Sequence, residues 1–258
     1  MSRYFIEVFY KGTAYAGFQV QKNANSIQAE IEKALRVFFR SEFLLTGSSR
    51  TDTGVHALCN YFHFDSDVIS KVLEKPEASI YNLNAILPLD IVIKRIFEVP
   101  ENAHCRFDAV SREYRYFIYK EKDPFKADRA FYYPYTLDMR LLNEAAQLVL
   151  AFEDFTAFSK RNTQVKSFNC SIYESNWSAD DEQLVYTVRA NRFLRGMVKG
   201  LVGTMLRVGR GKISVAEFKK IIEGKDFSSV DFSVPAHGLF LFNVEFKPDM
   251  FETANVSQ

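Results

Sequence analysis

Cysteine is scarce in this chain, and what there is lies far apart. Cys59, Cys105 and Cys170 are too few and too separated in 258 residues for a disulfide framework, and no CxxC pair marks a zinc-binding loop. The four histidines, His56, His63, His104 and His237, are equally scattered, so no metal-ligand pattern is visible and no metal is expected. Long apolar runs are missing too. No stretch approaches the ~18 to 20 residues of a membrane-spanning helix. The opening Met1-Ser2-Arg3-Tyr4-Phe5-Ile6-Glu7 lacks the apolar block of a signal peptide. A soluble, cytoplasmic protein with no membrane partner is the expectation. Tandem repeats and low-complexity tracts are absent, which sets aside solenoids and arrays.

Net charge is nearly absent, at +1, so the global balance does not advertise a polyanionic partner. Its distribution does. From Arg189 to Lys212 there are seven basic residues (Arg189, Arg192, Arg195, Lys199, Arg207, Arg210 and Lys212) and no acid. A solvated helix face is the ordinary explanation for such a run. With no acid in the run to balance it, contact with phosphate is the reading favoured here.

What is present in quantity is apolar and aromatic material, 47% and 15% of the residues, enough for a substantial core in two subdomains. Arg3 to Tyr10 alternates as a strand. Ser26 reads as an N-cap for a helix over 27–39, whose Ile27, Ile31, Ala34, Leu35 and Phe38 recur at three- and four-residue spacing. Short strands are expected at Phe43 to Leu45 and Cys59 to Phe64, a helical piece at Ile80 to Leu87 and a buried strand at Ile91 to Val99. The second half offers strands at Arg112 to Tyr119, Cys170 to Trp177, Leu184 to Ala190 and Leu239 to Phe246. Its helices are expected at Leu141 to Phe152, Phe193 to Val208 and Ser214 to Glu223. Strands mixed with helices, without a strict βαβ repeat, give an α+β class with mixed or antiparallel sheets. The divisions expected are 1–108, 109–247 and a polar tail over 248–258.

The most unusual string is Gly47-Ser48-Ser49-Arg50-Thr51-Asp52-Thr53-Gly54-Val55-His56-Ala57. Asp-Thr-Gly alone is an ordinary turn, with the Asp side chain accepting amide hydrogen bonds and Gly supplying positive φ. Arg50 and His56 change that assessment, because both lie close to the carboxylate in sequence and would favour its ionised form. An ionised carboxylate fixed on a turn is suited to nucleophilic attack. Arg112, Tyr114 and Tyr116 share one face at strand period, which suits stacking and phosphate contact. A core aromatic is the competing explanation for both tyrosines, and for Tyr116 the two stand level.

These strings together resemble the TruA family of tRNA pseudouridine synthases. The family's catalytic loop reads G-R-T-D-A-G-V-H-A, and here Ser49 to Ala57 follows it with Ser49 for Gly and Thr53 for Ala. The family's Y-D-G-T-x-Y/F-x-G-W/F-Q-x-Q is matched from Tyr10 to Gln21, with Lys11 for Asp. The pattern F-x-A-R-x-x-A-x-x-R-x-Y-x-Y is echoed from Ala103 to Tyr116. Asp154 to Phe158, Phe193 to Val198 and Pro235 to Leu239 supply further matches in order.

The resemblance implies a pseudouridine synthase fold, two α+β subdomains flanking a central catalytic cleft in which Asp52 and Tyr114 meet. It implies an isomerase without cofactor, acting by base flipping on uridines at positions 38 to 40 of the tRNA anticodon arm, as a homodimer on RNA rather than DNA. Asp52 is then the essential carboxylate of glycosidic bond cleavage and C5 reattachment, and Tyr114 the stacking tyrosine. Lys199 stands where the family places an arginine that pairs with the aspartate. Lysine keeps the charge but lacks the planar fork. Arg192, Arg195 and Lys199 at helical spacing would share a face, so either Arg195 or Lys199 could make the pairing. Arg50, His56, Arg112, Tyr116, Arg192 and Arg195 are the candidate substrate contacts, with Lys11, Lys22, Arg36 and Arg40 as further phosphate contacts. A non-catalytic or altered-specificity RNA-binding paralogue stays open as the rival. A glycoside hydrolase is set aside, since it typically needs two placed carboxylates.

Overall fold

The computed structural model describes residues 1–69, 74–160, 165–179, 183–248 and 250. The expected polar tail lies outside the described residues, apart from Pro248 and Met250. Two compact units emerge, Met1–Val110 with the chain from Leu241 onward, and Ser111–Phe240. Among the described residues there are five α-helices, and none is long and apolar enough to cross a membrane.

In the first unit, β1 (Ser2–Tyr10) lies between β3 (His56–Ser66) and β4 (Ile91–Val99), antiparallel to both. A two-residue β2 (Thr46–Gly47) pairs with β3, and β9 (Leu239–Phe246) follows β3 in the strand order. The centre of this sheet is aromatic. Phe5 is fully buried among the rings of Tyr61, His63, Phe97 and Phe246. Helix α1 (Ile27–Phe39) starts where the sequence expects, with Ser26 Oγ accepting the Ala29 N–H at 3.2 Å. Its buried stripe is Ile27, Ile31, Ala34 and Leu35. Helix α2 (Pro76–Ile86) begins earlier than the apolar pattern shows, because Pro76 occupies the first helical turn, where no amide is required. Phe43 and Leu45 are buried but lie outside any strand. Sheet pairing begins only at Thr46, opposite His63.

In the second unit, β8 (Leu184–Ala190) runs antiparallel between β5 (Ala109–Tyr119) and β7 (Ile172–Ala179). The two-residue β6 (Phe131–Tyr132) runs parallel to β5, which makes the sheet mixed. Helix α3 (Met139–Val149) is fastened to β7 by side-chain amides. Asn143 accepts the Trp177 N–H at 2.9 Å and donates to the Trp177 carbonyl at 3.0 Å, and Gln147 donates to Ser175 O at 3.0 Å.

Helix α4 spans Met197–Gly209 and α5 spans Val215–Gly224. The expected start of α4 at Phe193 is corrected to Met197. Gly196, at φ 77, is its N-cap, and a left-handed residue cannot continue a helix from upstream. The expected role of α4 also changes. It is buried on almost every side, with Lys199 and Arg207 its two partly exposed residues. Gly200 and Gly203 lie against the 230–232 segment, and a β-carbon on Gly203 would stand 2.2 Å from Asp231 O. An all-round apolar helix with glycines at its contacts is a core element, not a basic surface.

Candidate active site

Asp52 sits on a turn held from three directions. Its own carbonyl accepts the Val55 N–H at 3.1 Å, and Gly54 takes the positive φ of 79 that closes the turn. Thr51 O accepts the Phe18 N–H at 3.1 Å. His56 Nδ1 accepts the Gly12 N–H at 3.1 Å. The string from Tyr10 to Gln21, noticed first only as a motif, therefore forms the bed of this loop. Gly17, at φ 105, is there because a β-carbon would approach Thr51 O to 3.1 Å in a conformation that L side chains rarely adopt. Phe18 stacks on Phe62 with centroids 4.5 Å apart and fills the space in front of Gly47. Tyr15 hydroxyl donates to Asp90 at 2.5 Å, and Lys11 N–H donates to Asp90 O, which ties the same segment to the start of β4.

Beneath the loop lies a buried polar network. Asn60, on β3 and fully buried, uses all its hydrogen-bonding capacity. Its amide nitrogen donates to Tyr10 Oη at 3.1 Å and to Ser49 O at 3.0 Å. Its carbonyl oxygen accepts from Ser48 Oγ and from the Tyr61 N–H, both at 2.9 Å. Tyr10 Oη is 2.8 Å from Thr51 Oγ1. Sequence reasoning passed over Asn60 because nothing local distinguishes a strand asparagine. The signal was its position four residues after His56, on the strand that leaves the loop.

Of the residues expected to assist, His56 is buried beside the loop, Asp52 is half-buried and Arg50 is exposed. The others belong to the second unit. Tyr114 is mostly buried on β5, with its ring edge-on to Phe193 at 5.1 Å. Arg112 is mostly buried and donates to Asn191 O at 2.9 Å. Tyr116 has no exposed surface. Its hydroxyl donates to Pro235 O at 2.8 Å, and its ring blocks any side chain at Gly238. A ring enclosed in this way is an interior strut between β5 and the Pro235 to Leu239 motif, and it offers no face for a base. Burial pushes its phenol well above the ordinary tyrosine range.

The expectation that Arg192, Arg195 and Lys199 share a helical face is corrected. Arg192 lies in the irregular stretch before α4, Arg195 in the turn that Gly196 closes, and Lys199 in the first helical turn. Lys160 N–H donates to Arg195 O at 3.0 Å and fixes that turn, while the Arg195 side chain is exposed. Lys199 is half-buried, and its charge lowers the pKa of His237, for which burial is the larger cause. Nor is the basic run without acids in space. Arg189 lies 3.7 Å from Glu174 on the neighbouring β7 and over the Tyr173 ring. Arg207 donates to Ser229 O, and Arg210 packs on Tyr135 at 3.9 Å. Strand pairing supplied an acid that the linear sequence could not show.

The Asp154 to Phe158 motif is a structural turn. Asp154 Oδ1 accepts the Thr156 N–H at 3.0 Å and its hydroxyl at 2.6 Å, and Oδ2 lies 2.6 Å from Lys225. The lysine first, then the threonine, hold this carboxyl at about 2.

The scattered histidines and cysteines are partly reunited. His63, His104 and Cys105 place one ligand-type atom each within 4.8 Å of one another. Several of their atoms already make hydrogen bonds. His104 Nδ1 accepts the N–H of Arg106 at 3.1 Å and of Phe107 at 3.4 Å, which puts the proton of a neutral ring on Nε2. Cys105 Sγ lies 3.1 Å from Thr46 O and 3.2 Å from His63 Nδ1. The three side chains thus form a hydrogen-bonded cluster, with His63 and Cys105 buried and His104 half-buried.

Comparison with known proteins agrees with the motif pattern. The model of a family described as tRNA pseudouridine synthase matches residues 8–108 and 145–247. Proteins named tRNA pseudouridine synthase A are similar over nearly the whole chain. That of Parabacteroides distasonis is 41% identical over 252 residues, 97% of this chain and 98% of the relative. That of Bacteroides fragilis is 43% identical over 257 residues, 98% and 99% of the two chains. That of Staphylococcus aureus is 36% identical over 241 residues, 93% and 90%. With a family model covering most of its length and relatives this similar from end to end, the chain belongs to the tRNA pseudouridine synthase family, a family of isomerases.

Proposed function

We propose that this protein isomerises uridine to pseudouridine in tRNA, with Asp52 as the essential carboxylate and uridines of the anticodon arm at positions 38 to 40 as targets. The observation that carries the reading is Asp52 itself, half-buried on a turn in which the Thr51 and Asp52 carbonyls both accept backbone hydrogen bonds, in a chain of this family. A carboxylate so held suffers little reorganisation on approaching a ribose or a base, which is what positioning contributes to a bond-breaking step.

In this reading Tyr114 stacks on the flipped base, Lys199 pairs with Asp52, and Arg50, His56, Arg112, Arg192 and Arg195 orient the loop or hold phosphates. Extruding a stacked uridine costs a few kcal/mol, offset by phosphate contacts and by stacking in the site. The reaction is a rearrangement, so it consumes no cofactor. The enzyme works in the cytoplasm, as a homodimer.

The test is pseudouridine mapping on an unmodified tRNA transcript, with wild-type protein and Asp52→Asn side by side. Modification in the anticodon arm by wild type alone is the expected result. Binding without modification by either protein would instead establish a non-catalytic RNA-binding paralogue.

A further inference from the structure

We infer that Tyr10 and Asn60 are positioning residues for Asp52, through a buried hydrogen-bond relay that fixes the residues flanking it. The inference rests on the reading of Asp52 as the reacting carboxylate and explains how this chain holds it.

Tyr10 is the last residue of β1, 4% exposed, and its neighbour across the sheet is Ala57, just after the loop. Its hydroxyl accepts from the Asn60 amide at 3.1 Å and shares a hydrogen bond with Thr51 Oγ1 at 2.8 Å. Thr51 immediately precedes Asp52 and is itself 7% exposed. Asn60 donates at the same time to Ser49 O, the carbonyl three residues before Asp52, while Ser48 Oγ and the Tyr61 N–H saturate its oxygen.

The relay thus joins two strands of the sheet to the backbone at Ser49 and the side chain at Thr51. Ser49 stands where the family has glycine, and here its carbonyl is captured by Asn60, so the loop is anchored whatever the residue's own preference. Tyr10, Ser48, Thr51 and Asn60 are buried and Ser49 is half-buried, so breaking a link of the chain of bonds costs a hydrogen bond that water replaces poorly. Neither Tyr10 nor Asn60 is assigned contact with the uridine. Their effect is confined to where Asp52 is held, and misplacement by a fraction of an ångström to an ångström is enough to slow a reaction.

The experiment is Tyr10→Phe, which removes one oxygen and keeps the ring, beside Asn60→Asp, which keeps the shape and removes both donors. Single-turnover pseudouridine formation, tRNA affinity and amide hydrogen exchange of the 49–57 and 2–9 segments are measured for each. The expected result is a fall of about tenfold or more in rate with affinity within about twofold of wild type. Exchange over 49–57, where the Val55 N–H is bonded to Asp52 O, should be about tenfold faster, with 2–9 unchanged. A rate and an exchange profile within about twofold of wild type would overturn the relay. Should wild type prove inactive, the functional reading fails by itself. The exchange of 49–57 then still decides whether the relay holds the loop, since unchanged protection in both variants overturns it without reference to activity.

Discussion

Gly12 and Val55 are pressed together so closely that a β-carbon on Gly12 would stand 2.0 Å from the Val55 carbonyl oxygen. The obstacle is backbone, which cannot rotate away, so the Asp52 turn must shift as a unit. Gly12→Ala should therefore reduce single-turnover pseudouridine formation by at least about tenfold, or ~1.4 kcal/mol of barrier, while the protein stays folded and binds tRNA. A variant at wild-type rate would show that the turn tolerates displacement.

Tyr116→Phe separates an interior strut from a substrate contact. The hydroxyl bonded to Pro235 O is lost and that carbonyl is left with one partner fewer, so stability should drop by ~1 to 2 kcal/mol in urea unfolding. The affinity for tRNA should be unchanged. Normal stability with weakened binding would return Tyr116 to the list of substrate contacts.

His63 predicts an acid-sensitive stability. Burial first, then the charges of His104 and Arg3, bring its pKa down from 6.5 to about 4. As the pH falls below 6.5, the unfolded chain takes up a proton that the folded protein refuses until about 4, so the stability present above 6.5 is progressively lost across that window. The loss is up to ~1.4 kcal/mol per pH unit for one proton. His63→Gln should show a flatter decline between pH 6.5 and 4 in urea unfolding. Parallel declines in the two proteins would assign the acid sensitivity elsewhere.

Much of the fold could be read from residues alone. Ser26 capping α1, the alternation of β1 and the apolar run of Ile91–Val99 are local signals, and each element lies where its pattern predicts. The departures come from contacts between distant segments. No feature of Leu239–Phe246 announces that it follows β3 in strand order, since strand partners are chosen by the whole sheet. The start of α4 was misplaced because apolar spacing runs smoothly through Gly196, and only its positive φ shows the break. In the candidate site the Asp52 string was conspicuous. Its support by Tyr10, Asn60 and the Gly12 to Phe18 segment was not, because hydrogen bonds between residues 41 and 50 apart leave no trace in spacing.

Lys199 poses the sharpest question about this chain, since its relatives' motif places arginine there. Lys199 lies in the first turn of α4, half-buried, with His237 near enough for its charge to be felt. Arg195 precedes Gly196, with its backbone fixed by Lys160 and its long side chain exposed, and is the other basic residue that the motif offers for the pairing. If Lys199 makes the pairing, Lys199→Met should lower the single-turnover rate by about tenfold or more and Lys199→Arg should retain it, because the charge is what steadies Asp52. Arg195→Met should then affect tRNA affinity and its salt dependence rather than rate, as the loss of a phosphate contact does. A Lys199→Met rate within about twofold of wild type, with the loss appearing in Arg195→Met, would transfer the pairing to Arg195.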